Sequence, residues 1–195
     1  PPRSTQGVSS AASDVYKRQV LDRDGVINVD LMTYVTKPEE FKPIPGSLDA
    51  IANLNKNGFK VFIATNQACI EKEIISEAQL SDIHDYMKAL LEEKGGKIDY
   101  IAFCPHAPET KCLCRKPETG LLEEIENKFN IKLQGKYFIG DKESDIIAGL
   151  NHGCEPILIQ TGGYGEKVLK SRNCPPSEHC FDNLYDACEF IINKK

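Results

Sequence analysis

Two carboxylates, Asp22 and Asp24, lie two residues apart, after the apolar pair Val20-Leu21 and before Gly25. Residues i and i+2 of an extended strand point to the same side, so both side chains can meet at the end of one strand. Neighbouring like charges raise each other's pKa unless a proton or a cation compensates them. Mg²⁺, which prefers oxygen ligands, fits that requirement. One carboxylate could then act as a nucleophile and the other could carry a proton.

Such a pair is also common in solvated turns, so its interpretation depends on the motifs that come later in the chain. Three of them appear in order: ATNQ at 64–67 after an apolar run, RKP at 115–117 before a helical pattern, and GDKESD at 140–145 after another apolar run. Each has a structural alternative. Thr65 could simply end a strand, Lys116 could be a solvated cation, and Asp141 could cap a helix.

A second group of residues could bind a metal. Cys104, His106, Cys112 and Cys114 place four soft or borderline ligands within eleven residues. This set suits tetrahedral Zn²⁺ in a closed Cys₃His site. The alternative is a disulfide or free thiols, and a reducing compartment disfavours the disulfide.

The composition limits the classes of function. The chain has 195 residues, of which 41% are hydrophobic and 27% charged, as expected for one ordinary domain. A net charge of -5 gives no reason to expect nucleic-acid binding. No apolar run is long enough to cross a bilayer or to form a signal peptide. We therefore expect a cytoplasmic monomer that binds a small molecule and neither nucleic acid nor membrane.

Residues 1–19 differ from the rest of the chain. They lack apolar periodicity, and Lys17, Arg18 and Gln19 are unsuited to the buried strand that should lead into Asp22. Part of this segment resembles translated cloning sequence. We expect residues 1–19 to be non-native or disordered and residues 20–195 to form a single domain.

From Val20 onward, predicted strands alternate with predicted helices. This order predicts an α/β fold with an open, mainly parallel, Rossmann-like sheet and helices on both faces. Ligands of such folds bind outside the carboxyl ends of the strands, where Asp22, Thr65 and Asp141 all fall. The predicted strands after the first span 60–64, 98–103, 137–140 and 156–160, and the predicted helices span about 47–57, 76–95, 117–130, 145–151 and 177–193.

The segments LDRDGVINVD, TNQ, CPH with CLCRKP, and GDKESD together resemble the haloacid-dehalogenase-like (HAD-like) phosphatases, from about Val20 to Gly165. The cysteine-histidine group beside Arg-Lys-Pro narrows the resemblance to the branch with heptose-bisphosphate and histidinol-phosphate phosphatases. The resemblance implies the HAD-like fold. The chain has no long insertion after Asp24, so we expect no large cap domain, only a small loop held by zinc.

The resemblance also implies a mechanism. Asp22 would attack phosphorus to form an aspartyl-phosphate, and Asp24 would act first as acid and then as base. Mg²⁺ would be held by Asp22, the backbone carbonyl of Asp24, and Asp141. Thr65 would hydrogen-bond the transferring phosphoryl group, and Lys116 would offset its charge.

Further side chains are implied to bind substrate or support the metal site. Arg115 could hold a second phosphate or a sugar oxygen, and zinc would brace the loop that carries it. Asp145 would support the magnesium site without contacting the ion. The implied substrate contacts are Arg23, Asp30, Thr33, Asn66, Gln67, Arg115 and Lys142.

The activity expected from this resemblance is Mg²⁺-dependent removal of the 7-phosphate of D-glycero-D-manno-heptose 1,7-bisphosphate, in the synthesis of lipopolysaccharide precursors. Residues 68–73, ACIEKE, depart from the branch's usual pattern at an edge that normally holds substrate. Two alternatives therefore stay open. One is hydrolysis of histidinol phosphate or another small phosphate ester, and the other is a catalytically silent, zinc-bearing interaction domain.

Overall fold

A computed structural model of the protein describes residues 17–194. Six strands form one sheet in the order β3-β2-β1-β4-β5-β6, and every neighbouring pair is parallel. This confirms the predicted open parallel sheet. The strands are β1 (Lys17–Leu21), β2 (Phe59–Asn66), β3 (Tyr100–Cys104), β4 (Tyr137–Gly140), β5 (Glu155–Ile159) and β6 (Cys180–Phe181).

Helices cover both faces of the sheet, as predicted. The helices α1, α2 and α6 bury their apolar residues in one core cluster with one face of the strands, and α3 and α4 contribute to a second cluster on the other face. Their bounds are α1 (Ser47–Lys56), α2 (Glu77–Glu92), α3 (Gly120–Phe129), α4 (Glu143–His152), α5 (Gly165–Leu169) and α6 (Leu184–Asn193).

The apolar residues of β2 are divided between these two clusters. Val61 and Ile63 belong to the first, whereas Phe62 and Ala64 belong to the second, and all four are fully buried. Alternate residues of a strand point to opposite faces, so a parallel strand covered on both faces must be apolar throughout. The strand therefore delivers Thr65 rigidly to its carboxyl end.

Three polar residues that were expected to lie outside the fold belong to β1. Lys17 remains exposed and places its ammonium 5.0 Å from the ring centre of Phe59. Gln19 is fully buried, but its amide donates to the carbonyls of Val20 at 2.9 Å and Tyr137 at 3.1 Å. These hydrogen bonds offset the cost of burying the amide nitrogen, whereas the amide oxygen has no partner among the described residues. The remainder of the predicted N-terminal segment, residues 1–16, lies outside the described residues.

The carboxyl-terminal region differs from the prediction of one helix over 177–193. A 3₁₀ turn (Ser177–His179) and the short strand β6 come first, and α6 begins only after Asn183, whose side chain accepts a hydrogen bond from the Asp186 N–H at 3.0 Å. The predicted start of α3 at Pro117 is also too early, because the helix begins at Gly120. The short helix α5 was not predicted.

The segment from 22 to 46, between β1 and α1, contains the 3₁₀ turn Pro38–Glu40 and otherwise no helix or strand of its own. No cap domain is therefore inserted there. Within residues 17–194, none of the helices combines the length and the apolar character that crossing a bilayer requires.

Candidate active site

A cavity of about 360 Å³ opens at the carboxyl edge of the sheet. Asp22 follows β1, Thr65 ends β2, and Asp141 follows β4, so three neighbouring strands deliver these residues to one place. Asp141 is fully buried and does not line the cavity. The structure brings all the other predicted catalytic and substrate-binding side chains to the wall: Asp22, Arg23, Asp24, Asp30, Thr33, Thr65, Asn66, Gln67, Arg115, Lys116 and Lys142.

Lys116 links two acidic side chains within the site. Its ammonium lies 2.8 Å from Asp22 Oδ1 and 2.6 Å from Asp145 Oδ1, and it donates to the Ala64 carbonyl at 2.7 Å. Lys116 is 3% exposed. Burial alone would lower the pKa of Lys116, but Asp145 and Asp22 raise it above its ordinary value. The lysine is therefore a fixed positive charge with all three donors used.

The backbone of Lys116 is held as firmly as its side chain. Its N–H donates to Asn66 Oδ1 at 3.0 Å, and its carbonyl accepts from Asn66 Nδ2 at 3.1 Å. The end of β2 thus fixes the segment that carries the lysine, although the two positions are 50 residues apart.

Asp141 has the features of a ligand for a hard cation. Its carboxylate and those of Asp22 and Asp145 offer atoms within 4.8 Å of one another. Among residues 17–194, neither Asp141 oxygen has a hydrogen-bond partner. Burial raises the pKa of Asp141 to about 8, reinforced by Asp145 and Asp22, although Lys142 opposes the shift. Three clustered carboxylates, one of which has both oxygens unpartnered, match the oxygen ligands that Mg²⁺ prefers.

Asp145 itself is already engaged. One of its oxygens faces Lys116, and the other accepts the backbone N–H of Lys142 at 3.0 Å, at the start of α4. The carboxylate therefore fixes the lysine and the first turn of the helix together. This agrees with a supporting position rather than a metal ligand.

Two glycines allow the backbone to approach Asp141. Gly25 has a φ of +88°, which favours glycine, and a Cβ at either Gly25 or Gly162 would collide with the Asp141 carboxylate. The Thr161 hydroxyl donates to the Gly25 carbonyl at 2.6 Å and joins the two loops. Sequence reasoning missed Thr161 and Gly162, because no motif singled out the loop after β5.

Asp24 is held by three side chains. It accepts hydrogen bonds from Arg23 at 2.8 and 2.9 Å, from Asn28 at 2.9 Å and from Gln67 at 2.9 Å. Gln67 also donates to the Thr65 hydroxyl at 2.9 Å. Burial alone would raise the pKa of Asp24, but the Arg23 charge and these hydrogen bonds lower it. The carboxylate is thus ionised in the free protein.

The cavity wall carries a further ion pair. The Lys142 ammonium lies 2.8 Å from Asp30 Oδ2 and 5.1 Å from the ring centre of Tyr164. Burial would lower the pKa of Lys142, but Asp22, Asp141 and Asp30 raise it. Thr33 is exposed at the rim. Sequence reasoning missed Tyr164 and Lys167 on this wall, because α5 was not predicted.

The predicted zinc ligands form a compact group. The three sulfurs, from Cys104, Cys112 and Cys114, are 3.0 to 3.5 Å apart. His106 Nδ1 lies 3.6 Å from Cys104 Sγ and 3.3 Å from Cys114 Sγ. Zn–S bonds of about 2.3 Å in a tetrahedron require sulfurs about 3.8 Å apart, so small outward shifts would admit the ion. All four residues are positioned to bind one metal.

This loop also fixes Arg115. Its backbone N–H donates to Cys112 Sγ at 3.4 Å, and its guanidinium donates to the His106 carbonyl at 3.0 Å. The cysteine-histidine group therefore holds the segment that leads into Lys116.

Residues 68–73, whose sequence differs from the usual pattern of the branch, contact the cysteine-histidine loop. Glu71 accepts hydrogen bonds from the Ala107 N–H and, at 2.7 Å, from the Thr110 hydroxyl, and its own N–H donates to the Pro105 carbonyl at 3.1 Å. Only Ala68 of the segment lines the cavity. The altered sequence therefore faces the cysteine-histidine loop more than the ligand cavity.

Comparison with known proteins places this geometry in a family. The HAD-hydrolase-like family matches residues 113–187. The D-glycero-beta-D-manno-heptose-1,7-bisphosphate 7-phosphatase of Pseudomonas putida is 44% identical over 176 residues, which cover 90% of this chain and 99% of the relative. The protein of the same name from Bordetella bronchiseptica is 37% identical over 175 residues, covering 90% of this chain and 97% of the relative.

Solved structures agree. The crystal structure of D,D-heptose 1,7-bisphosphate phosphatase from B. bronchiseptica, complexed with magnesium and phosphate, has a TM-score of 0.85 and 36% identity, and the match covers 92% of this chain and 99% of that one. The Burkholderia thailandensis enzyme has a TM-score of 0.71 at 33% identity, with 91% and 99% covered. These findings confirm the resemblance. The chain is a HAD-like phosphatase and belongs to the family of the heptose 1,7-bisphosphate 7-phosphatases.

Proposed function

We propose that this protein is a Mg²⁺-dependent phosphomonoesterase that removes the 7-phosphate of D-glycero-β-D-manno-heptose 1,7-bisphosphate. The observation that carries the proposal is the buried network at the sheet edge, in which Lys116 bridges Asp22 and Asp145 beside the unpartnered Asp141. The substrate is inferred from the relatives named for this activity, which align with about 90% of this chain.

Asp22 is the nucleophile in this proposal. Lys116 holds one of its oxygens at 2.8 Å, which leaves the other to attack phosphorus. The bond from Asp22 to phosphorus forms as the bond from phosphorus to the sugar oxygen breaks, and Asp24 protonates the leaving oxygen. Asp24 then takes a proton from the water that hydrolyses the aspartyl-phosphate.

Asp24 needs a proton for the first step, although it is ionised in the free protein. A phosphate dianion next to the carboxylate raises the pKa of Asp24, because like charges disfavour the ionised form. Substrate binding therefore favours the acid form that the first step uses. Once the leaving group has departed, the Arg23 charge favours the carboxylate again, which is the form that acts as base.

Asp22, Asp141 and the backbone carbonyl of Asp24 would hold Mg²⁺. The fit is supported by the two Asp141 oxygens that have no partner in the described part of the chain, and by the magnesium in the B. bronchiseptica structure. The ion supplies positive charge that offsets the repulsion between the nucleophile and the phosphate.

Most of the remaining predicted residues either bind substrate or position a residue that does. The Thr65 hydroxyl and the second hydrogen of Asn66 Nδ2 donate to the phosphoryl group, while Lys116 offsets its charge. Arg115 and Lys142 lie on the cavity wall, where they can hold the second phosphate or sugar oxygens. Asp30 positions Lys142 and Gln67 positions Asp24. Thr33 lines the cavity, from where it would contact the sugar.

Cys104, His106, Cys112 and Cys114 would hold a structural Zn²⁺. The converging sulfur and nitrogen atoms support this assignment. Bound zinc supplies a fixed crosslink for the loop that carries Arg115 and Lys116.

Phosphate release with Mg²⁺ from a substrate panel tests the proposal. The panel contains both anomers of heptose 1,7-bisphosphate, fructose 1,6-bisphosphate and histidinol phosphate, with Asp22→Asn as the inactive control. We expect a clear preference for the β anomer and no activity of Asp22→Asn. A preference for histidinol phosphate would overturn the proposed substrate. Wild-type protein that releases no phosphate from any compound would favour a catalytically silent, zinc-bearing domain.

A further inference from the structure

Arg23 is a buried charge whose contacts differ from the predicted substrate contact. It is fully buried, and its Nε and Nη2 atoms both face Asp24, at distances from 2.8 to 3.2 Å. Nη2 also donates to Gln67 Oε1 at 3.3 Å. The Nε and Nη2 edge of the guanidinium is therefore used to bind Asp24. The orientation of this edge depends on the partner of the remaining nitrogen, Nη1.

That other nitrogen meets a histidine of α2. Arg23 Nη1 lies 3.2 Å from His84 Nε2, and His84 is 6% exposed. A guanidinium can only donate hydrogen bonds, so His84 Nε2 must accept. Acceptance requires the neutral imidazole with its proton on Nδ1. The ring is fixed from another side by Phe103, whose ring centre lies 6.3 Å away.

The surroundings keep His84 neutral. Burial, followed by the Arg23 charge, lowers the pKa of His84 to about 3. The other charged groups around it are Lys88 and Asp85 on the same helix and Asp24 across the arginine. Since the imidazole is uncharged, it can serve as an acceptor throughout the neutral range.

We propose that His84 is a positioning residue that aims Asp24 at the reacting phosphate ester by holding Arg23. This role rests on the proposed function, because it presumes that Asp24 is the acid and base. Without an acceptor at position 84, Nη1 is left buried and unpaired, and the guanidinium turns or shifts to satisfy it. Asp24 follows, and proton transfer is sensitive to small displacements of the carboxylate.

A set of substitutions at position 84 distinguishes the effect of losing the hydrogen-bond acceptor from the effect of changing the side-chain volume. His84→Leu removes the acceptor, and we expect kcat to fall about 10- to 100-fold with a much smaller change in KM. His84→Gln keeps an acceptor oxygen at similar reach, and we expect it to recover most of kcat. If His84→Leu does not fold, His84→Phe, which keeps a planar ring but has no acceptor, replaces it in the comparison.

The leaving group gives a readout that a general loss of structure would not move. A sugar phosphate needs a proton on its leaving oxygen, whereas p-nitrophenyl phosphate releases a stable phenolate. We therefore expect His84→Leu to lose more activity on heptose 1,7-bisphosphate than on p-nitrophenyl phosphate.

Asp85→Asn is the matched control, because Asp85 is the exposed neighbour on α2 and pairs with Lys88 at 3.0 Å. It should keep wild-type kcat. Wild-type kcat in His84→Leu, equal losses on both substrates, or a folded His84→Gln as impaired as His84→Leu would each overturn the role of His84. An inactive wild-type protein would overturn the proposed function instead.

Discussion

At the scale of single residues, Lys116 neutralises negative charge within the site. Its side chain is 2% exposed and faces the carboxylates of Asp22 and Asp145, which are 5% and 1% exposed. A buried charge without its partner is expensive, so these three groups depend on one another. Removing the lysine leaves two adjacent negative charges in a place where water cannot screen them.

We therefore predict that Lys116→Met lowers the free energy of unfolding by about 3–5 kcal/mol at neutral pH. It should also lower kcat by about 100- to 1,000-fold, because the phosphoryl charge loses its main offset. Urea unfolding and phosphate release measure the two effects. Lys56→Met, at an exposed position on α1, is the control and should change neither. A Lys116→Met protein with normal kcat would contradict this role.

The titration of His84 makes the stability of the folded protein depend on pH. The pKa of His84 is about 3 in the folded protein, below its ordinary value of 6.5. Between these values the unfolded chain binds a proton that the folded protein does not. The stability contributed by neutral His84 is thus complete above pH 6.5 and is lost as the pH falls.

We predict that acidification from about pH 7 to about pH 5 destabilises the wild type more than His84→Gln, by at most about 1.4 kcal/mol per pH unit. Urea unfolding at several pH values measures the two slopes. Identical slopes would show that His84 titrates normally in the folded protein.

Single residues also show what the sequence could and could not reveal. The motifs predicted Asp22, Asp24, Lys116 and Asp141 as site residues, because each motif is a short local pattern near a predicted strand or helix end. They did not reveal that Arg23 meets His84, since these residues are 61 positions apart and are brought together only by the packing of α2.

At the scale of elements, the loops after β2 and β3 support each other. Glu71, in the first loop, accepts hydrogen bonds from Ala107 and Thr110 in the second. These bonds lower the pKa of Glu71, with the Ala107 N–H as the largest contribution. The glutamate thus connects the loop that follows Thr65 and β2 to the loop that holds Arg115.

We predict that Glu71→Ala raises KM by about three- to tenfold with little change in kcat, because hydrogen bonds that position the binding loop are lost while the nucleophile is untouched. Steady-state kinetics measure the split. Glu109→Ala removes the same charge from an exposed position in the neighbouring loop and should leave KM unchanged. If both substitutions raise KM equally, charge rather than the Glu71 contacts would be responsible.

The cysteine-histidine loop makes a prediction about metal removal. The purified protein should contain about one zinc per chain, since one Cys₃His set is a complete tetrahedral site. A strong chelator should expose residues 104–115 to proteolysis and reduce activity, and added Zn²⁺ rather than excess Mg²⁺ should restore both. Metal analysis with limited proteolysis measures this. Zinc-free protein with unchanged activity and cleavage would contradict it.

Elements with local end signals were predictable from sequence. The capping box at Ser76 and Gln79 predicted the start of α2, and the structure has both of its hydrogen bonds, at 3.2 and 3.0 Å. The helix predicted over 177–193 was wrong at its start, because β6 spans two residues and forms only by pairing with β5. Such a strand has no periodicity of its own.

At the scale of the whole molecule, strand order explains why distant motifs share one site. β1 lies between β2 and β4, so the loops after these three strands meet at one edge of the sheet. The alternation of strands and helices predicted this arrangement. It could not predict that β1 contains a buried Gln19, because one of the carbonyls that accept from its amide nitrogen belongs to Tyr137 on β4.

The absence of a cap between β1 and α1 has a consequence for specificity. The cavity walls come from the end of β2, the first turn of α4, α5 and the loops between them, and the sequence did not predict α5. The motifs could therefore predict the class of reaction, but they could not predict the shape of the cavity, which depends on how the loops pack.

The most direct test of the central claim is to locate the phosphoryl group during turnover. Asp24→Asn, which should slow hydrolysis of the intermediate, is mixed with p-nitrophenyl phosphate and Mg²⁺, quenched, digested and examined by mass spectrometry. We predict one phosphoryl group on the peptide that contains Asp22, and none when Asp22→Asn is added to the same protein. Two results would contradict nucleophilic catalysis by Asp22. One is nitrophenol release with no phosphoryl group on the Asp22 peptide, and the other is the same phosphorylated peptide in the protein that also carries Asp22→Asn.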